Sequence, residues 1–433
     1  MTRAPATAPV APRLAALLER VSGVGAGELP VRLRAWDGSE AGPAGGPVLV
    51  LRSRRALRRL LWRPDELGLA RAYVTGDVDV EGDLDDGLRR VWSFARAHEG
   101  RADLGVGDRL AALGIAARLG AVGPPPRTPA TEARVRGRLH SRARDRDVIA
   151  HHYDFSNEFY ALVLDEHLAY SCAYFGDDAA ADVPLADAQR AKFELVCDKL
   201  QLRAGTALLD VGCGWGSLSI HAARRRGVRV TGITLSRQQL ELARKRAAEE
   251  GVADLVDLRW LDYRDLRHAV PDVGSFDAAA SLEMGEHVGD EHYPEFVRTV
   301  HDVLRPGGRF LVQQMSRVAG TAPGGGAFIE AYIAPDMHMR PLGETVALLE
   351  AGGFEVRGVQ ALREHYVRTG EAWRATLEAN WDEVVAMVGE ESARVWRLYL
   401  AGGALAFAER RMGVDQILVR RPEPVGSPAS VRT

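Results

Sequence analysis

From Asp147 onward, short apolar runs alternate with longer stretches of helical spacing. The runs are TALLDVG from Thr206, VRVTGITLS from Val228, DLRWLDY from Asp257, FDAAASLEM from Phe276 and GGRFLVQQM from Gly307. Strand-length runs separated by helical segments predict a doubly wound α/β domain with a parallel sheet, here over residues 148–433. The earlier part of the chain has a different texture. PVRLRAW and GPVLVLRS read as strands separated by the turn-rich DGSEAGPAGG, and RRALRRLLWRP and ELGLARAYV have helical spacing. VDVEGDLDDGLRRVWSFARAH reads as a turn and a further helix. Residues 13–123 are therefore expected to form a small α+β domain, behind an Ala/Pro-rich disordered tail at 1–12.

Between the two textures lies a linker, residues 124–147. Pro124, Pro125 and Pro126 stop any regular element. Seven arginines follow between Arg127 and Arg146, against Glu132, Asp145 and Asp147. Such a run is either a solvated connection or a basic strip that meets anionic lipid headgroups.

Bulk composition narrows the function classes. In 433 residues, 46% hydrophobic and 27% charged, there is ample material for two cores, and a formal net charge of -3 argues against a nucleic-acid partner. The three cysteines, Cys172, Cys197 and Cys213, form no CxxC pair and fit a reducing cytoplasm. No stretch reaches the ~18 apolar residues of a membrane span, so any lipid chemistry is expected at the surface of the cell membrane's inner face.

TALLDVGCGWGSLSIHAARRRG is a strand, a glycine turn and a helix. Gly212, Gly214 and Gly216, with Trp215 between them, let backbone approach a ligand at a helix N-terminus. Alone the turn is weakly specific, because dinucleotide enzymes use a similar one. Asp210 before the turn, the DVGCGWG spelling, and Asp262 and Tyr263 at the end of the third strand tilt it toward S-adenosylmethionine. The second strand ends not in the usual acidic residue but in Thr234, Leu235, Ser236 and Gln239, where hydroxyl and amide groups replace a carboxylate.

That substitution belongs to a longer set of motifs: HHYDFSNEFYALVLDEHLAYSCAYF, LLDVGCGWG, GITLSRQQ, LDYRDL, MGEHVG, FIEAYIAP and REHYVRTGEAW. Together they make the last 290 or so residues resemble the cyclopropane-fatty-acyl-phospholipid synthase family. This family includes the mycolic acid cyclopropane synthases and the enzymes that build methylene- and methyl-branched fatty acids. The resemblance implies a Rossmann-like class I methyltransferase domain that moves a one-carbon unit from S-adenosylmethionine to the double bond of an unsaturated phospholipid acyl chain. It implies that Tyr170 and Ser171 cover the cofactor, that Gly212 and Gly214 form its turn, and that Ser236 and Gln239 contact ribose and adenosine. It also implies that Cys172, Glu286 and Tyr366 hold a bicarbonate ion beside the reacting carbons. Each of these three has a plainer alternative: a buried small hydrophobe, a helix cap and a packing ring.

Two positions depart from a cyclopropane synthase. Gln313 stands where those enzymes carry a bicarbonate-holding histidine, and Glu283 where they commonly carry glycine or another small neutral residue. The branched-chain members share both changes. Glu283 is accordingly expected to be the base, directly or in place of bicarbonate, with a 10-methylene branch as product and a separate reductase to saturate it. The alternative is that Glu283 only hydrogen-bonds Gln313 or the cofactor. A cyclopropane product, an inactive cofactor-binding homologue and a small-molecule methyltransferase are the competing readings. His151 and His152 lack the spacing of a metal site, and no metal is expected. Tyr153, Phe155, Tyr174, Phe175 and Tyr332 read as core or tunnel wall. ARVWRLYLAGGALAFAERR reads as an amphipathic helix for core packing or for a homodimer surface.

Overall fold

The structure, a computed structural model, describes residues 9–98, 106–133, 135, 137–153, 156–177, 182–270 and 274–424. The chain forms two compact units. One comprises Met1–Glu132 together with Gly389–Leu405; the other comprises Ala133–Val388 and Ala406–Thr433.

The first unit is α+β. Strands β1 (Arg32–Arg34), β2 (Glu40–Ala41), β3 (Val48–Leu51) and β4 (Val78–Glu81) form a sheet in the order β2-β1-β3-β4. VDVE is thus a strand rather than a turn; it pairs antiparallel to β3, with Val78 buried at its start. Helices Arg54–Trp62, Glu66–Val74 and Leu84–Ala97 each begin at a side-chain cap, supplied by Ser53, Asp65 and Asp83. The first helix starts at Val10, inside the stretch expected to be a tail. Val10 and Ala11 are buried in the core, and Pro12 is tolerated in a first helical turn whose N–H groups have no intrahelical partner. Residues 1–8 lie outside the described residues.

The unit also claims both a piece of the linker and a piece of the C-terminal region. Arg71 grips Glu132 through Nε at 2.5 Å and an η-nitrogen at 2.8 Å, and Arg59 donates to the Arg127 carbonyl at 3.0 Å. Helix Glu390–Ala408 carries Arg394, whose buried guanidinium donates to the carbonyls of Tyr73 at 2.7 Å and Val78 at 2.9 Å. Ala401 of the same helix packs with Tyr73 and Leu84. The amphipathic segment therefore serves core packing, and the methyltransferase unit is not the uninterrupted 148–433 that the sequence pattern suggests.

The second unit is a seven-stranded sheet. Strands β5 (Ala207–Val211), β6 (Arg229–Thr234), β7 (Val256–Trp260), β8 (Phe276–Leu282) and β9 (Leu304–Arg317) run parallel to one another, as the apolar runs predict. Strands β10 (Glu355–Ala361) and β11 (Met412–Arg420) complete the order β10-β11-β9-β8-β5-β6-β7, with β11 antiparallel to both neighbours. The direction of winding reverses between β5 and β8, so a crevice opens at their carboxyl ends. Two apolar clusters cover the sheet, one holding Leu208, Val230 and Leu258, the other Leu209, Ile233 and Phe310. Alternate strand residues thus face opposite layers.

Helix Arg142–Tyr153 starts within the expected linker. Its arginines are already engaged: Arg142 pairs with Asp265 at 2.6 Å, Arg144 with Asp336 at 2.6 Å, and Arg146 lies 5.3 Å over the Trp260 ring. Each of the three thus has a partner within the chain. Arg127 and Arg138 are exposed, while Arg134 and Arg136 lie outside the described residues.

Candidate active site

A cavity opens at the carboxyl ends of β5, β6 and β8. Asp210, Gly212, Gly214 and Trp215 line it from the β5 turn, and Thr234, Leu235 and Gln239 from the β6 end; Tyr263, Tyr170 and Ser171 complete it. The glycine turn is built for close approach. Gly212 has φ +83°, and a Cβ there would lie 2.9 Å from the Met284 side chain, whereas Gly214, at φ +54°, faces open space. Trp215 is fixed by its indole N–H donating to Asn157 Oδ1 at 2.8 Å. Thr234 donates to Gln239 Oε1 at 3.1 Å, which holds the amide at the cavity wall.

Three expected cofactor residues do not line this cavity. Gly216, at φ +77°, is the N-cap of helix Ser217–Arg226. Ser236 caps helix Arg237–Glu249 by accepting from the Gln239 N–H at 3.2 Å. Asp262 is spent on Arg264, which donates to it at 2.9 and 2.6 Å and holds its carboxyl below the ordinary range.

Lys192, not singled out by sequence reasoning, is wholly buried and lines the same cavity. It donates to Ser171 Oγ at 2.7 Å, and burial pushes it down to about 8. Asp210 accepts from the Ser219 hydroxyl at 2.7 Å and is raised by burial to about 6. An ammonium and a carboxylate facing one cavity above a glycine turn match the zwitterionic amino-acid end of S-adenosylmethionine, and the residues present fit that cofactor.

Glu283 joins this cavity to the cluster of expected catalytic residues. It follows β8 at φ +54°, a left-handed conformation that costs a non-glycine residue about 1–2 kcal/mol. Its Oε1 accepts from the Cys172 backbone N–H at 2.7 Å and from Gln313 Nε2 at 2.8 Å; its Oε2 accepts from the Tyr366 hydroxyl at 2.5 Å. Tyr366 is positioned by stacking on Phe407, with ring centroids 4.3 Å apart. The Cys172 thiol points away to carbonyls of Ala173 and Leu362, and burial pushes it well up, so it acts here through its backbone N–H.

Glu286 is a different kind of carboxyl. It is wholly buried, one oxygen accepts from the Met315 N–H, and Oε2 has no partner among the described residues. Burial, reinforced by the nearby charge of Glu283, pushes it up to about 8. Burial raises Glu283 too, but three donors to its carboxylate oppose that rise. Three donors meet the Glu283 carboxyl and none meets Glu286 Oε2, so the geometry favours Glu283 as the charged member of the pair and Glu286 as the protonated one. The side chains of His151, His152, Tyr153 and Phe155 lie outside the described residues.

Residues 140–417 match the family described as mycolic acid cyclopropane synthetase. The chain belongs to this family. It is 37% identical to a probable fatty acid methyltransferase of Pseudomonas putida over 91% of this chain and 92% of that one. It is 35% identical to a probable fatty acid methyltransferase of Mycobacterium tuberculosis, over 92% and 93%. Among solved structures, the cyclopropane synthase MmaA2 from Mycobacterium tuberculosis superposes with a TM-score of 0.58 at 28% identity, over 64% of this chain and 98% of that one. The mycolic acid cyclopropane synthase CmaA1 complexed with SAH and CTAB gives 0.58 at 30% identity, over 64% and 98%. The chain is an S-adenosylmethionine-dependent methyltransferase of the cyclopropane synthase family, with an N-terminal α+β region ahead of the Rossmann-like sheet.

Proposed function

We propose that this enzyme methylates the cis double bond of an unsaturated phospholipid acyl chain and releases a methylene-branched chain, with Glu283 as the base. The observation that carries the reading is the setting of the Glu283 carboxylate. It is held by the Cys172 N–H, the Gln313 amide and the Tyr366 hydroxyl, the positions that the family resemblance associates with a bicarbonate ion. The side chain takes the place of the free anion, and the strained backbone at φ +54° is the cost of putting it there. Two relatives that span more than nine-tenths of this chain are named probable fatty acid methyltransferases, which supports methyl transfer to an acyl chain.

Bound S-adenosylmethionine supplies a methyl group with the electron demand of a sulfonium. The alkene's electron pair forms the new carbon–carbon bond as the methyl–sulfur bond breaks, its pair staying on sulfur and the demethylated thioether leaving, and a cation remains on the neighbouring carbon. A hydride shift moves that cation to the methylated carbon, and Glu283 takes a proton from the new methyl, whose C–H electrons become the methylene double bond. The sum is one CH2 added to the chain and one proton released. Glu286, kept neutral, does not compete for that proton. Saturation of the branch would require a separate reductase acting on the product.

The first unit offers a surface for the lipid. Trp62 and Val122 are exposed by 58% and 57%, Leu61 by 38%, and Trp62 donates to the Gly123 carbonyl at 2.9 Å. Arg54, Arg55 and Arg58 of the same helix flank them. Apolar tips within a basic helix suit the interface of an anionic bilayer, and no described helix is long and apolar enough to cross one.

The test is chemical. Oleoyl-phospholipid liposomes are incubated with the enzyme and S-adenosylmethionine carrying a carbon-13 methyl, and the hydrolysed fatty acids are read by mass spectrometry and NMR. Label in a methylene branch is expected. Label in a three-membered ring would assign a cyclopropane synthase and remove Glu283 from proton abstraction as drawn. Replacing Gln313 with histidine should then shift the product ratio.

A further inference from the structure

Gln313 also connects Glu283, by way of the neighbouring strand β11, to a second lysine of the helix that carries Lys192. Gln313 on β9 and Gln416 on β11 are register partners, both essentially buried. Gln313 Oε1 accepts from Gln416 Nε2 at 2.8 Å, and Gln416 Oε1 accepts from Lys199 Nζ at 2.6 Å. Lys199, the last residue of helix Leu185–Lys199, also donates to Gln360 Oε1 on β10 at 2.5 Å. At the other end, Gln313 Nε2 serves Glu283 at 2.8 Å and the Cys172 carbonyl at 3.4 Å.

Every link of this chain has a direction. An ammonium only donates, an ionised carboxylate only accepts, and a primary amide donates from one arm and accepts on the other. Lys199 must take the oxygen of Gln416, which turns the Gln416 NH2 to Gln313. That in turn leaves the Gln313 NH2 for Glu283. With a donor-only group at one end, a single orientation satisfies both amides. The reverse orientation would aim the Gln313 carbonyl at Glu283, and only a protonated carboxyl could meet it. That form cannot accept a proton from substrate.

We infer that Lys199 is a positioning residue of the reaction: through Gln416 it fixes the orientation of the Gln313 amide, and so keeps a donor aimed at Glu283. The inference rests on Glu283 being the base, but it can be tested apart from that reading. The other titratable groups facing Glu283 (Lys192, Cys172, Tyr366 and Glu286) are untouched by the changes below.

Infrared difference spectra of the full chain across a pH titration supply the readout. The protonated-carboxyl band that disappears in Glu283→Gln reports Glu283 directly. In Lys199→Met and in Gln416→Met, the midpoint of that band should rise by roughly one to two pH units, the loss of one well-aimed donor to a charged group. Lys199→Arg keeps a donor-only group and should restore the wild-type midpoint. An unmoved midpoint in folded Gln416→Met overturns the relay; that variant keeps the lysine and carries the test alone if Lys199→Met does not fold. If the midpoint rises but the pH dependence of kcat/KM does not follow it, the relay stands and Glu283 is not the base.

Discussion

Glu283→Gly separates the two things that Glu283 does. It relieves a left-handed residue of its side chain, a gain of about 1–2 kcal/mol. It also strips the acceptor from three donors, the Cys172 N–H, the Gln313 amide and the Tyr366 hydroxyl. Each buried donor left unmet costs about 1–3 kcal/mol. After water has met part of that demand, the variant should be less stable than its parent by about 2–5 kcal/mol. Removal of the base should slow turnover about 10²–10⁴-fold, which is roughly 3–5.5 kcal/mol on the barrier. The vacated space is the size of a small carboxylate, so bicarbonate should bind there, raise the melting temperature by mass action and recover part of the rate. The assay is carbon-13 methyl transfer to oleoyl-phospholipid liposomes over a bicarbonate titration in degassed buffer. A variant that turned over as fast as its parent without bicarbonate would refute the assignment of Glu283 as base. A folded, inactive variant whose rate and melting temperature ignore bicarbonate, formate and acetate alike would show that the three donors do not form an anion site.

Glu286→Gln tests the division of charge. Burial lifts Glu286 to about 8 from an ordinary 4.5, so its contribution to stability is complete below about pH 4.5 and is lost as pH rises through 8. The melting temperature of the variant, relative to wild type, should therefore move upward between pH 5 and pH 8, and a pH-independent difference would contradict a neutral Glu286. Gly212→Ala places a methyl 2.9 Å from Met284 at φ +83° and should weaken S-adenosylmethionine binding about tenfold by calorimetry; unchanged binding would take the turn out of the cofactor site. Trp62→Ala should lower partitioning onto anionic vesicles about tenfold. Charge reversal at Arg134, Arg136 and Arg138 should weaken it more at low salt than at high, and binding that ignores salt would remove the basic contribution.

The five parallel strands were legible because each is an apolar run flanked by turn chemistry. Strands β10 and β11 were not. EVRGVQA sits at the sheet edge with most of its positions exposed, and in MGVDQILVR the run is broken by Asp415 and Gln416, which are buried for hydrogen bonding rather than for packing. The glycine turn, Asp210 and the tyrosine–serine pair at 170–171 could be placed from motifs. Lys192 could not, because a lysine at a helical position reads as solvated surface; only its neighbours in space, Ser171 and the cavity wall, show otherwise. Ser236 and Asp262 read as ligand contacts because strand-end polar residues serve either a ligand or the chain itself. In the structure Ser236 also caps a helix and Asp262 also accepts from Arg264.

The helix Glu390–Ala408 has a consequence for how the chain is made. The first unit lacks Arg394 and Ala401 until translation passes residues 389–405, long after its own sheet has been synthesised. The methyltransferase sheet is equally unfinished at that moment, because β11 must enter between β9 and β10. Both units are therefore closed by the same late stretch of chain. Ribosome-bound intermediates would carry two open cores at once, and a chain truncated before Gly389 would leave both unfinished rather than one intact domain.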